Sequence, residues 1–162
     1  MEKQNLVNEG NEQYIKLLKD VLLKQETVIK SILDYSRNSR SDLILEEIPL
    51  KEMIFATFKD LKFMNDTRGV VELFVDIPED FSFVCDKNRV QFILNNLLSN
   101  GIKYADLTKD KPKMEISASS GDDAIAITFR DNGIGIHTDI LPHIFEMFYR
   151  GNVESSGSGL GL

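Results

Sequence analysis

Four short stretches follow one another in the later part of this chain, and their order constrains its fold more than any one alone. They are Asn-Leu-Leu-Ser-Asn-Gly-Ile-Lys-Tyr at 96–104, Asp-Asn-Gly-Ile-Gly-Ile at 131–136, Ile-Phe-Glu-Met-Phe-Tyr-Arg at 144–150 and Gly-Ser-Gly-Leu-Gly-Leu at 157–162. A single glycine-rich match is a weak indication, whereas four in order at compatible spacing are a strong one. The series therefore guides the interpretation of the rest of the sequence.

The first stretch lies on a predicted amphipathic helix that ends at about Tyr104. Its apolar residues recur at the spacing of one helix face, and either Asp86 or Asn88 is suited to be the N-cap. A second helix is predicted at 50–63, and strands are predicted at 43–48, 71–77, 114–118 and 124–129. Because helices and strands come in separate runs, the expected fold class is α+β, a two-layer α/β sandwich.

A long helix is predicted ahead of this sandwich. Residues 12–37 contain no glycine or proline, and apolar residues recur there with the 3.5-residue period of a coiled-coil-like seam, interrupted at Gln25. The seam residues are Ile15, Leu18, Leu22, Ile29 and Ile32. The helix either packs on its own domain or pairs with a second copy, and its length and isolation favour pairing.

Composition argues against several classes of function. The 162-residue chain has a net charge of -7, and a nucleic-acid partner is not expected because phosphate backbones need a basic surface. The single cysteine, Cys85, cannot form an intrachain disulfide, which suits a reducing cytoplasm. No apolar run approaches the roughly 18 residues of a membrane span, so no membrane contact is expected from this segment.

Three polar residues form one stripe on the helix of the first stretch. Asn96, Asn100 and Lys103 are spaced i, i+4 and i+7, at the border of the apolar face. A carboxamide oxygen is a suitable ligand for a Mg²⁺ ion that binds mainly to phosphates, and a lysine can neutralise those phosphates. Alone, such a stripe is more often a solvated polar edge, but the other stretches favour a binding role.

The second stretch begins with a carboxylate that is expected to follow directly on the strand at 124–129. Asp131 can accept a hydrogen bond from the exocyclic amine of adenine, whereas guanine has no donor at that position. Gly133 and Gly135 allow a close approach of the backbone or a positive φ angle. An Asp-Asn-Gly turn alone is common, and the second glycine and the polar stripe favour a base-binding role.

The four stretches resemble the N, G1, F and G2 boxes of the sensor histidine kinases, the kinase branch of the gyrase/chaperone/histidine kinase/MutL ATP-binding superfamily. The resemblance extends from about Gln13 to the last residue. It implies a Bergerat-type ATP-binding fold with ATP and Mg²⁺ as cofactors and Asn100 as the metal ligand. The ATP-binding residues that it implies are Asn96, Asn100, Lys103, Tyr104, Asp131, Gly133, Gly135, Ile136, Phe148, Arg150, Gly157, Gly159, Leu160 and Gly161.

The resemblance also implies a mobile lid over the nucleotide. Residues 144–150 would anchor one end of the lid, with Arg150 facing the phosphates, and Met147 stands where the family usually has a basic or polar residue. The three glycines of 157–162 would form the far hinge and lead into a helix N-terminus, where backbone amides bind phosphate oxygens.

On this resemblance, residues 1–40 are expected to be the second helix of a dimerisation hairpin, and 41–162 a C-terminally truncated catalytic domain that ends inside the G2 box. The hairpin helix with the phosphoacceptor histidine is expected to be absent, since neither His137 nor His143 is followed by an acidic residue. The implied activity is transfer of the ATP γ-phosphoryl group to a histidine and then to an aspartate of a response regulator. A homodimer through the N-terminal helix is expected, as is a cytoplasmic location, free or as part of a membrane-bound sensor.

Two alternatives are weighed against the kinase. A conformational ATPase of the same superfamily places a general-base glutamate one turn before the metal-binding asparagine, and that position is Asn96 here, which cannot deprotonate water. A non-catalytic nucleotide-sensing or dimerisation module is disfavoured by the intact Asn100, Lys103 and Asp131, but it stays open.

Overall fold

The protein is represented by a computed structural model. It describes residues 12, 14–19, 21–23, 25–26, 28–29, 32–33, 42–64, 71–122, 124–146 and 149. Contacts divide the chain into one unit of Asp42–Leu141 and another that contains Met1–Ser41 and Pro142–Leu162. No helix within the described ranges is long and apolar enough to cross a membrane.

The described residues between 12 and 33 are helical, so the predicted N-terminal helix is confirmed over that part of its length. All five seam residues are exposed, with Ile32 the least exposed at 44%. Pairing of the seam with a second copy stays a prediction, and residues 34–37 lie outside the described part of the chain.

The unit of residues 42–141 contains both helices and strands. In chain order the elements are β1 (Leu45–Glu47), α1 (Leu50–Met64), β2 (Glu72–Asp76), β3 (Val84–Asp86), α2 (Lys87–Lys103), β4 (Lys113–Ser120) and β5 (Ile125–Asp131). A three-stranded sheet has the order β2-β4-β5, with β2 parallel and β5 antiparallel to β4, and β1 pairs antiparallel with β3. The predicted α+β class is confirmed.

The core forms where the two helices pack on one face of the sheet. Successive residues of a strand point to opposite faces, and in β4 the buried set is Met114, Ile116 and Ala118. These side chains cluster with Ile54 of α1 and Leu98 of α2, both 0% exposed. Burial of each of the methionine, isoleucine and leucine side chains contributes roughly 1.5–3 kcal/mol to stability, so the sheet and the helices stabilise each other as two layers.

The start of α2 is held by one carboxylate. Asp86 is the N-cap, and its Oδ1 accepts the backbone N–H of Arg89 at 3.1 Å while Oδ2 accepts the N–H of Ile44 at 3.1 Å. The hydrogen bond from Ile44 and then that from Arg89 lower the pKa of Asp86. Of the two predicted N-caps, Asp86 is therefore right, and Asn88 lies within the first turn of the helix.

The observed strands differ from the prediction by one additional strand and by one or two residues at the ends of the other four. The three-residue strand β3 was not predicted, because so short a segment shows no resolvable alternation. Strand β5 ends at Asp131, whereas the predicted strand stopped at residue 129. Asp131 is thus the last residue of the strand and not the residue that follows it, because pairing with Met114 extends the ladder.

Candidate functional site

Strand register brings the second stretch beside the end of α2. Asp131 pairs directly with Met114 across β4 and β5, and directly paired residues share one face of a sheet. Met114 is 2% exposed and lies on the helix side, where its Cε atom is in the space that a Cβ on Gly101 would occupy. Asp131 therefore lies on the same side of the sheet as the C-terminal part of α2, which carries Asn100 and Lys103.

The predicted polar stripe is present on α2. Asn96 and Asn100 are half-buried and Lys103 is exposed. Within the described part of the chain, neither carboxamide has a hydrogen-bond partner, so both remain available to a ligand. The Lys103 Nζ atom lies 4.7 Å from the centroid of the Tyr104 ring, which keeps the charge at the end of the helix.

The metal-binding potential of this site rests on oxygen atoms of amides. Among the described residues no group of three or more His, Cys, Asp or Glu side chains is arranged to hold a metal ion. The half-buried Asn100 carboxamide offers one neutral oxygen, which fits a Mg²⁺ ion that keeps most of its ligands as water and phosphate.

The Asp131 carboxylate is oriented by its own turn. Its Oδ1 accepts the backbone N–H of Gly133 at 2.8 Å. Among the described residues no donor contacts Oδ2, so this oxygen is available to accept a hydrogen bond from a ligand. The side chain is exposed, and its geometry is set by the turn before any ligand arrives.

The two glycines of the turn have different roles. A Cβ on Gly133 would overlap the carbonyl oxygen of Tyr104 and stand 2.8 Å from Asp131 Oδ1, so the close approach is to the chain itself. The next residue, Ile134, donates its N–H to that same Tyr104 carbonyl at 3.0 Å. Gly135 has open space around it, and glycine is favoured there because its φ angle is +74°.

Several residues that hold the turn were not predicted as site residues. The Asn132 side chain accepts the N–H of Lys113 at 2.8 Å and donates to the carbonyl of Lys111 at 3.0 Å. The Lys109 ammonium donates to the carbonyls of Asn132 and Gly133. No signal in the sequence indicates these contacts, because residues 105–112 form an irregular loop without periodicity.

The lid residues fall largely outside the described ranges. Six of the predicted site residues do so: Phe148, Arg150, Gly157, Gly159, Leu160 and Gly161. In the described residues of this segment, His143 Nδ1 lies 2.7 Å from Glu146 Oε1, and the ring centroids of His143 and Tyr149 are 5.1 Å apart. The role of the lid therefore stays a prediction.

A cavity larger than the one at Asp131 lies elsewhere among the described residues. It has a volume of about 520 Å³ and is lined by residues 47–52 and 77–82, with none of the predicted site residues among them. The ion pair of Lys51 and Glu79, 3.1 Å long, belongs to this lining. A smaller cavity of about 160 Å³ includes Asp131 and Asn132.

Comparison with known proteins shows the family to which this chain is similar. Residues 85–162 match the family described as Histidine kinase-, DNA gyrase B-, and HSP90-like ATPase. The histidine-protein kinase BaeS of Escherichia coli is 35% identical over 119 residues, which are 71% of this chain and 24% of BaeS. The sensor histidine kinase MtrB of Mycobacterium leprae is 31% identical over 144 residues, 85% of this chain and 25% of MtrB.

The chain belongs to the histidine kinase branch of this ATPase family. It spans about a quarter of the length of the curated relatives that it matches. The match of this kinase domain begins at residue 85, just before the N-cap of α2, and it includes every predicted site residue.

Solved structures share the fold of this histidine kinase domain. Full-length ShkA in complex with AMPPNP has a TM-score of 0.68 at 20% identity and covers 93% of this chain and 31% of ShkA. The nucleotide-free catalytic domain of the histidine kinase ThkA has a TM-score of 0.58 at 24% identity and covers 72% of this chain and 74% of that one.

Proposed function

We propose that this chain binds Mg·ATP between the end of α2 and the turn after β5. The Asp131 Oδ2 atom accepts a hydrogen bond from the exocyclic amine of adenine, and the exposed Ile136 supplies an apolar contact for the base. Asn100 ligates Mg²⁺, and Lys103 neutralises phosphate charge. The observation that carries this proposal is the pairing of Asp131 with Met114, since Met114 lies against Gly101, the neighbour of Asn100.

The bound ATP is proposed to serve histidine phosphorylation in a sensor kinase. A ring nitrogen of the acceptor histidine forms a bond to the γ-phosphorus as the bond to the β-phosphate oxygen breaks and ADP leaves. The phosphoryl group then passes to an aspartate of a response regulator. ThkA has been solved in complex with the response regulator protein TrrA, which supports the same class of partner here. The contribution of this domain to the transfer is to position ATP and to neutralise the charge of its phosphates.

The assembly proposed for the kinase is a homodimer in the cytoplasm. The exposed apolar seam of the N-terminal helix supports pairing with a second copy, because coiled-coil seams are buried only between helices. Residues 1–40 are proposed as the second hairpin helix and 41–162 as the catalytic domain. The conformational ATPase is not favoured, since the half-buried Asn96 cannot act as a general base.

Two measurements test this function. Calorimetric titration should show binding of ADP with Mg²⁺ and no binding of GDP; equal affinities for the two would contradict base recognition by Asp131. For transfer, the chain is mixed with γ-labelled ATP and a separate hairpin peptide in which a histidine is followed by an acidic residue. Acid-labile label on the hairpin supports the kinase, whereas label on His137 or His143 would contradict the role of this chain as a donor only.

A further inference from the structure

Besides the bonds of the Asn132 side chain, an ammonium group of the loop that follows α2 contacts the base-binding turn. Lys109 Nζ donates to the carbonyl oxygens of Asn132 and Gly133, and it lies 3.7 Å from Asp106 Oδ2. A lysine ammonium has three N–H donors and no acceptor, so two of its donors are used by the two carbonyl oxygens, while Asp106 attracts its charge. Lys109 is therefore directed at the turn and not at a phosphate.

The position of this ammonium is set within its own loop. The Asp106 carboxylate accepts the backbone N–H of Thr108 at 3.1 Å and its hydroxyl at 2.6 Å. The side-chain hydrogen bond of Thr108, followed by its backbone hydrogen bond, lowers the pKa of Asp106. The carboxylate therefore stays charged near neutral pH, and its charge attracts Lys109 from three residues away.

The two carbonyls that Lys109 contacts belong to the part of the turn that orients Asp131. The Gly133 N–H donates a hydrogen bond to Asp131 Oδ1, and the Gly133 carbonyl is one of the two that accept from Lys109. The next amide, Ile134 N–H, is bonded to the Tyr104 carbonyl at the end of α2. Lys109 thus closes a ring of contacts that runs from the end of α2 through the loop to the turn.

We propose that Lys109 is a positioning residue that holds the Asp131–Gly133 turn in its base-binding geometry without contacting the nucleotide. The inference rests on the proposed adenine site. Loss of the ammonium leaves the two carbonyls to water and lets the turn sample other conformations, so binding must then order it again. The loss of affinity therefore concerns recognition of the base, and it should be the same whether or not the ligand carries phosphates.

The test compares two lysines of the same loop. Lys109→Met removes the ammonium and keeps the length of the side chain. Lys111→Met is the control, because it removes the same charge from a lysine whose ammonium has no contact with the turn among the described residues. We expect Lys109→Met to bind ADP roughly 3- to 10-fold more weakly than the wild-type chain, with Lys111→Met near the wild type. Lys109→Arg should restore most of the affinity.

Adenosine separates positioning from phosphate contact. If Lys109 acts on the turn, Lys109→Met weakens adenosine and ADP by the same factor. A loss for ADP alone would overturn the proposal, because it would mean that the ammonium meets phosphate. Equal affinities of wild type, Lys109→Met and Lys111→Met would also overturn it.

Amide hydrogen exchange without nucleotide keeps the test independent of ATP binding. Lys109→Met should increase exchange at Ile134 and leave the buried strand amide of Ile116 unchanged, which also shows that the variant is folded. Unchanged exchange at Ile134 would overturn the proposal. Failure of the wild-type chain to bind ADP, with increased exchange at Ile134 in the variant, would reject the proposed function and keep the positioning role.

Discussion

The two halves of the candidate site are built differently. At the half proposed to bind the base, the turn of residues 131–135 is held by backbone and side-chain hydrogen bonds from the loop after α2. At the half proposed to bind the phosphates, Asn100 and Lys103 project from a regular helix, and within the described chain the Asn100 carboxamide has no hydrogen-bond partner. In the first half, hydrogen bonds fix the backbone of the turn. In the second half, the helix fixes the Cα positions of Asn100 and Lys103 but not the rotamers of their side chains.

This difference suits the two parts of the ligand. A base is rigid and planar, and discrimination between adenine and guanine needs an acceptor fixed before binding, since a mobile acceptor can rotate to fit the wrong base. Phosphates and a hydrated Mg²⁺ ion change their geometry during transfer, and side chains with free rotamers can follow them. Substitutions in the turn should therefore cost more affinity than substitutions in the stripe.

The largest expected effect is at the carboxylate of the turn. Asp131→Asn places an amide donor against the adenine amine, so two donors face each other. We expect ADP affinity to fall by about 100-fold or more, measured by calorimetric titration, with an unchanged circular-dichroism spectrum. Asp110→Asn, the same change at an exposed position of the neighbouring loop, is the control. Unchanged ADP affinity of Asp131→Asn would remove the basis for the adenine assignment.

The next effect tests whether the backbone of the turn matters as much as its carboxylate. Gly133→Ala forces a methyl group into the Tyr104 carbonyl oxygen, and overpacking of this kind costs about 1–3 kcal/mol. ADP affinity should fall by about tenfold as the turn moves. In Gly135→Ala the methyl group meets open space, and only the positive φ angle costs about 1–2 kcal/mol. If Gly135→Ala weakens binding more than Gly133→Ala, close packing on Tyr104 does not set the turn.

The metal ligand of the stripe should have a smaller effect, seen only with magnesium. Asn100→Ala should lower ATP affinity by about fivefold in the presence of Mg²⁺ and change it little with EDTA. The control is Asn95→Ala, at an exposed asparagine of the same helix whose Oδ1 accepts a hydrogen bond from the Gln91 amide at 3.3 Å. Equal magnesium dependence in wild type and Asn100→Ala would show that α2 does not hold the metal.

The smallest effect concerns the rigidity of α2 itself. Because the pKa of Asp86 is lowered in the folded chain, its ionised form adds stability above the unfolded carboxyl pKa of about 4, and this stability is lost as pH falls through the lowered value. Urea unfolding should show Asp86→Asn less stable than the wild type at pH 7, with a smaller difference at pH 3. Asp76→Asn, exposed on β2, is the control. The same difference at both pH values would mean that charge does not hold the start of the helix.

The sequence predicted the elements whose hydrophobic period is long enough to be unambiguous. Both helices of the sandwich, α1 and α2, were found nearly at their observed bounds, because each shows several turns of apolar periodicity. The three residues of β3 were missed, and the end of β5 was placed too early. A strand end depends on its partner in the ladder, and Met114, the partner of Asp131, lies 17 positions away along the chain.

Within the candidate site, the sequence by itself determined which chemical groups are present and their local spacing. Asn96, Asn100 and Lys103 share a stripe because the α-helix has a fixed period. Asp131 and the glycines share a turn because they are adjacent. These properties follow from the order of residues and from local conformation. The order of the four stretches was sufficient to indicate the family.

Tertiary structure alone decided which of these groups meet and what holds them. The register of β4 and β5 brings Asp131 to the helix side of the sheet, and the contact of Met114 with Gly101 brings that face against α2. The bonds from Lys109 to the turn join residues more than 20 positions apart through an irregular loop. No local period encodes such contacts, because they exist only when the packed sheet and helix bring separate loops to the same place.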